Sequence, residues 1–180
     1  MFKIVKAPNN ILRSQAKLVK KVTPALMKVI SEMIETAKSF TDPEGVGLAA
    51  TQIGKDEQFF IAKLENHPHL LGQTGFVPVF NPTIIWFSKR YKVSLEGCLS
   101  IPDYYGEVAR PIMVKVIYMN SNGQTVKETL RGVNAMIFQH EYDHLHGRLF
   151  IDYVLSQKSR LFKVTGKDKT GADIFEEVAL

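Results

Sequence analysis

The chain of 180 residues has one cysteine, one tryptophan, no long apolar run and no long block of like charge. Each scarcity excludes a class of protein. A single thiol cannot build a disulfide framework, which fits a reducing compartment. Without an apolar run of about 20 residues, nothing in the sequence suits a helix across a bilayer. The opening Met1-Phe2-Lys3-Ile4-Val5 lacks the layout of a signal peptide, so the expectation is a cytoplasmic protein with no membrane partner. Lys and Arg outnumber Asp and Glu by 23 to 18, a net charge of +5. These cations are scattered and not interleaved with aromatics, which describes a solvated surface better than a specific nucleic-acid site. What remains is ordinary for a globular protein, with 45% apolar and 23% charged residues. The length suits one domain over residues 1–180, large enough to bury a core.

Thr23 before Pro24 is a helix start, a capping hydroxyl followed by the residue suited to the first turn. Leu26, Ile30, Met33, Ile34 and Ala37 then recur at helical spacing, predicting an amphipathic helix over residues 24–40. Thr41-Asp42-Pro43 ends it. Short β-like runs follow at 58–63, at Val79 with 83–87, at 91–93 and at 112–119. Ser121-Asn122-Gly123 predicts a hairpin turn into a strand over 125–130. In the first arm Ile112, Val114, Val116 and Tyr118 share one face. Gly132 breaks the second arm and a further helix begins, on which Val133, Met136, Ile137, His140 and His144 form one stripe. That stripe predicts histidines turned against the core. The expected fold class is α+β, with antiparallel sheets packed around this central helix. Residues 64–77 read as an insertion, and 161–180 as a tail without assignment.

The central helix carries Gln139-His140-Glu141-Tyr142-Asp143-His144. Imidazoles four residues apart lie on one helix face, so both can hold one metal ion with the Glu141 carboxylate beside it. Such an ion lowers the pKa of its water towards neutrality, and Glu141 could take and return the proton. Zinc proteases share this spacing but need a third ligand. Phe150 stands where a metzincin places its third histidine. A thermolysin-like site needs a downstream Glu, and only Glu176 and Glu177 follow, in a stretch with no helical pattern. Asp152 would require the helix to run on through Gly147. Cys98 remains, inside Glu96-Gly97-Cys98-Leu99-Ser100. A lone cysteine is by default a small buried hydrophobe, but Gly97 permits close backbone approach and Ile101-Pro102 fixes the chain after it. Cys98, His140 and His144 would leave a fourth position for water, and a thiolate suits ferrous iron as well as zinc. Asp143 could orient the site by pairing with Arg110. His67, His69 and His146 read as loop or surface imidazoles.

A third segment, Gly45-Val46-Gly47-Leu48-Ala49-Ala50-Thr51-Gln52, lacks the spacing of a phosphate loop. It offers close backbone approach and one amide, Gln52, able to donate to a developing oxyanion. Together the three segments resemble the peptide deformylase family. Its pattern of Gly-x-Gly-x-Ala-Ala-x-Gln, Glu-Gly-Cys-Leu-Ser and Gln-His-Glu-x-Asp-His-Leu-x-Gly is matched in order from Gly45, Glu96 and Gln139. The likeness runs over about residues 3–155 and extends to Val108-Ala109-Arg110-Pro111 and Leu149-Phe150-Ile151-Asp152. Met136 departs from the pattern, standing where many relatives have Arg.

The resemblance implies an enzyme that removes the formyl group from the N-terminal formylmethionine of new proteins. It implies one divalent ion held by Cys98, His140 and His144, with Fe²⁺ expected and Zn²⁺, Ni²⁺ or Co²⁺ able to replace it. Glu141 would be the general acid and base, and Gln52 with the backbone N–H of Leu99 would stabilise the oxyanion. Gly47 and Gly97 would keep the formyl pocket tight, while Val46, Val133, Met136 and Ile137 would line an apolar pocket for the methionine. Partners would be N-formylmethionyl nascent peptides, met by a monomer with a weak ribosome contact. Two alternatives are weaker. An endopeptidase is disfavoured by Phe150 and the missing downstream Glu, and a catalytically idle relative by the intact Glu141 and Gln52.

Overall fold

In the computed structural model, which describes residues 1–179, Thr23 Oγ1 accepts the Leu26 N–H at 3.1 Å and Pro24 opens helix α1 (Pro24–Lys38). The later helices are α2 (Gly132–Leu145) and α3 (Phe150–Gln157). Strands follow in chain order as β1 (Gly47–Ala49), β2 (Phe59–Lys63), β3 (Phe76–Phe87), β4 (Tyr91–Cys98) and β5 (Ile101–Pro111). They continue as β6 (Met113–Met119), β7 (Thr125–Arg131), β8 (Leu161–Lys167) and β9 (Asp173–Val178). One antiparallel sheet has the order β1-β2-β3-β6-β7, the other β4-β5-β8-β9.

The period of two in a strand decides what each face of the first sheet meets. Phe59 and Ile61 join Ile30, Met33, Ile34 and Ala37 of α1 in one buried cluster. Phe60 and Ala62 point the other way and join Val114, Val116 and Tyr118 of β6 with Ala135, Phe138 and Leu145 of α2. The sheet is therefore covered by a helix on each side, and α2 lies between it and the second sheet, touching β1, β2, β7 and β5. The α+β class is as expected, and so is the shared face of Val114, Val116 and Tyr118 on β6, but Ile112 lies in a bend before the strand. No helix among the described residues is long and apolar enough to cross a membrane.

The structure departs from the sequence reading in several places, and α3 and β1 had no counterpart in it. α1 stops at Lys38 and not at residue 40. β4 continues from Tyr91 to Cys98, and residues 101–111 are a strand where a fixed loop was expected. Pro102 is tolerated there because it sits at the strand's start. The tail is a β-hairpin laid onto β5, with Tyr105 opposite Phe162. Within residues 64–77, Phe76 and Val77 belong to β3, and the preceding loop is pinned by His67.

His67 is buried and not a free loop imidazole: its Nε2 lies 2.8 and 2.9 Å from the Glu128 carboxylate, which also accepts the Tyr118 hydroxyl at 2.8 Å. Burial pushes the Glu128 carboxyl up, but its bonds to His67 and Tyr118 outweigh this and hold it below the usual value of 4.5. A carboxyl more acidic when folded stabilises the protein above its unfolded pKa, and that contribution is lost as pH falls through the folded value. Glu128→Gln is therefore expected to cost about 1–2 kcal/mol at pH 7. It should also flatten the decline of the urea midpoint in acid. A variant with the same acid-side decline as the unaltered protein would contradict this.

Candidate metal centre and active-site cleft

Helix α2 is anchored by Phe138, whose ring stands edge-on to Phe60 at 5.1 Å between centroids. The stripe beginning at Val133 faces elsewhere. Val133 is 42% exposed, and Met136 and Ile137 are half-buried along an open cleft. The outer end of the stripe therefore lines the cleft, while Ile137 packs against the core cluster and His144, 1% exposed, is buried as expected. Helical periodicity identifies an apolar face without telling a packed interface from the lining of a cleft.

At the inner end of this stripe the two histidine rings lie 5.0 Å apart between centroids. Cys98 reaches them from the end of β4, where a register shift after Gly97 turns the chain sharply so that Cys98 pairs with Ile101. Its Sγ is 3.2 Å from His144 Nε2, and ligand atoms of Cys98, His140 and His144 all lie within 4.8 Å of one another. Two ligands on one tetrahedral ion stand about 3.5 Å apart, so this thiol and two imidazoles fit a divalent cation. Burial pushes the Cys98 thiol up, but His144 and His140 outweigh it and bring it well below its usual value. Burial lowers His140, and bonds to Cys98 and Glu96 reverse that and raise it well above the usual value.

His140 Nδ1 is 3.0 Å from Glu96 Oε2, which leaves Nε2 as the ring nitrogen on the Cys98 side. Glu96 in turn accepts Arg110 Nε at 2.5 Å and Nη2 at 3.0 Å. Arg110 Nη1 donates to Asp143 Oδ2 at 2.8 Å, and the Tyr153 hydroxyl donates to Asp143 Oδ1 at 3.1 Å. The expected Arg110–Asp143 pair is therefore present, within a larger buried network. Burial pushes Glu96 up, but His140 and Arg110 outweigh it and bring it to about 2. Glu96 received no role from the sequence alone. The signal was available: residues two apart on a strand share a face, so Glu96 accompanies Cys98.

Glu141 is buried beside the cluster, and burial pushes its carboxyl up to about 7. Among the described residues its Oε2 has no hydrogen-bond partner, a costly state unless something in the cleft supplies one. Gly47 makes room for it, since a Cβ there would collide with the Glu141 carboxylate. Gln52 Oε1 accepts the Ala49 N–H at 2.8 Å, which aims Nε2 towards Cys98 Sγ at 3.4 Å and Ser100 Oγ at 3.3 Å. A Cβ on Gly97 would come within 2.6 Å of the Tyr105 ring, which lies over it. Asp152 is far from this chemistry in role: it caps the Leu149 N–H at 2.8 Å and pairs with Arg13 at 2.5 Å. His146 leans on the Tyr142 ring, and His69 is exposed.

The cleft has a volume of about 270 Å³. Val46, Gly47, Gln52, Gly97, Cys98, Leu99, Val133, Met136, Ile137, His140 and Glu141 all line it, while His144 lies beneath. Tyr105 and Leu95 also line it, and sequence reasoning did not single them out.

The family described as polypeptide deformylase matches residues 1–160. A peptide deformylase of Thermotoga neapolitana is 39% identical over 163 residues, covering 91% of this chain and 93% of the relative. The crystal structure of the Thermotoga maritima enzyme superposes with a TM-score of 0.76 at 40% identity, covering 85% of this chain and 97% of that one. A Met-Ala-Ser-bound peptide deformylase from Acinetobacter baumannii gives a TM-score of 0.75 at 31% identity, covering 85% and 98%. Motifs, fold and the thiol-imidazole cluster thus converge, and the chain belongs to the polypeptide deformylase family.

Proposed function

We propose that this protein hydrolyses the formamide at the N-terminus of formylmethionyl peptides, releasing formate and a free amine. The observation that carries the reading is a Cys98-His140-His144 donor set beside a buried Glu141, whose Oε2 has no partner among the described residues, in the wall of the cleft. Cys98, His140 and His144 would hold one divalent ion, for which we propose Fe²⁺. When bound, that ion supplies Lewis acidity to the formyl oxygen and to the attacking water.

The cleft runs between β1, at the edge of one sheet, and β4, at the edge of the other. Edge strands have unpaired backbone groups, so a peptide can lie between them as an added strand. Val46, Val133, Met136 and Ile137 then offer an apolar slot to the methionine side chain. Glu141 accepts a proton from water as its oxygen adds to the formyl carbon. Gln52 Nε2 and the Leu99 N–H donate to the oxygen that gains charge. Glu141 returns the proton to the leaving nitrogen as the C–N bond breaks. The partners are nascent chains in the cytoplasm, met by a single-domain monomer whose net charge of +5 favours weak contact with ribosomal RNA.

A Cβ on Gly47 would strike Glu141 and one on Gly97 the Tyr105 ring, and a site this tightly walled would suit the small formyl group. An extra methyl there should cost 10–200-fold or so in kcat/KM. Formyl-Met-Ala-Ser should therefore release formate at least about tenfold faster than acetyl-Met-Ala-Ser releases acetate. Equal rates, or cleavage of an internal peptide bond, would overturn the reading.

A further inference from the structure

Two N–H groups donate to the Cys98 sulfur besides the histidines around it: Gln52 Nε2 and the backbone N–H of Ser100, each at 3.4 Å. The N-terminal segment bonds the loops that carry both. The Val5 N–H donates to the Gln52 carbonyl at 2.8 Å, and the Ala7 N–H to the Ser100 carbonyl at 2.9 Å. Lys6 lies between these two anchors, and its Nζ donates to the Leu99 carbonyl at 2.5 Å. Buried Ile4 and Leu12 hold the segment in place on either side, independently of Lys6.

Leu99 and Ser100 form the turn between β4 and β5, whose pairing closes at Cys98 and Ile101. The Leu99–Ser100 peptide at its centre belongs to neither strand, so its polar groups need partners of their own. This peptide is trans, and the C=O and N–H of a trans peptide point in opposite directions. The oxygen goes to Lys6 and the N–H to the Cys98 sulfur. One rigid plane thus connects an exposed ammonium to a buried sulfur. A cation on the carbonyl polarises the peptide and strengthens the bond that its N–H donates.

We propose that Lys6 is a positioning residue for the metal centre, holding a hydrogen bond on the Cys98 sulfur through the Leu99–Ser100 peptide. The proposal rests on the metal site proposed above. Hydrogen bonds around a ligating sulfur limit the charge it gives to an ion. A centre so tuned keeps more Lewis acidity for the formyl oxygen.

The test loads the full-length protein with one equivalent of Co²⁺, whose thiolate charge-transfer absorption reports the sulfur without any substrate. Lys6→Met keeps the length of the side chain and loses the donor. It should move the band to longer wavelength and leave the urea midpoint unchanged. It should also lower kcat for formyl-Met-Ala-Ser by about tenfold, with KM within about twofold. Lys6→Arg, which can reach the same carbonyl, should restore both band and kcat. An unmoved band overturns the proposal. So does a loss confined to KM, which would make Lys6 a substrate contact in the cavity it lines with Asp103. A loss that Lys6→Arg leaves in place overturns it too. If the unaltered protein binds Co²⁺ without a thiolate band, the ligand assignment and this proposal fall together. A band without turnover in the unaltered protein removes the deformylase reading, while the shift in Lys6→Met still decides the role of Lys6.

Discussion

Glu141→Gln should leave a folded, metal-binding protein whose kcat with formyl-Met-Ala-Ser falls by about 10²–10⁴-fold. The exchange keeps shape and size, so the tight fit against Gly47 survives. In the proposed mechanism it removes only what shape does not supply, taking a proton from water and returning it to the leaving nitrogen. Stability should not suffer. The carboxyl is pushed up to about 7 by burial, and its Oε2 lacks a partner, so an uncharged amide relieves a cost. The expected pattern is unchanged metal content, an unchanged or higher melting temperature, and collapsed turnover. Near-unaltered turnover in this variant would show that the proton moves by another route.

Arg110→Ala should be the most damaging single change to stability. Its side chain is 3% exposed and stands between Glu96 at 7% and Asp143 at 10%. Removing the cation strands two buried carboxylates, which typically costs about 3–5 kcal/mol. Burial pushes Glu96 up and its partners bring it down to about 2, so the network's contribution is full above the ordinary carboxylate range and is lost progressively as pH falls from that range through about 2. The loss in Arg110→Ala should therefore be full at neutral pH. Glu96 also orients His140, so metal affinity should fall by about 10–100-fold. Urea unfolding of the metal-free proteins and chelator competition of the loaded ones measure the two effects. A cost under about 1 kcal/mol with unchanged metal affinity would contradict the role given to this network.

Much of this was legible in the chain because the signals are local. Thr23-Pro24 starts α1 through one hydroxyl and one ring, and both act within a single turn. Asn120 Oδ1 accepts the Asn122 and Gln124 N–H groups, so the turn near Gly123 is written in adjacent residues. The His140 and His144 spacing needs only a helix to converge. What stayed hidden depends on distant pairing. β5 has no clean alternation over Ile101-Pro102-Asp103-Tyr104-Tyr105-Gly106 and becomes a strand by lying between β4 and β8. The tail becomes a hairpin for the same reason. His67 looked like a loop residue because its partner Glu128 is 61 positions away. The Val133 stripe was visible, but whether it met core or cleft depended on where β4 passed.

The most direct measurement follows formate release from formyl-Met-Ala-Ser while Fe²⁺ is titrated anaerobically into metal-free protein. The account predicts no release without metal. Activity should then rise in proportion to bound iron and reach its plateau at about one ion per chain, with Cys98→Ala failing to hold that ion. Full turnover by metal-free protein, or stoichiometric iron binding by Cys98→Ala, would contradict it.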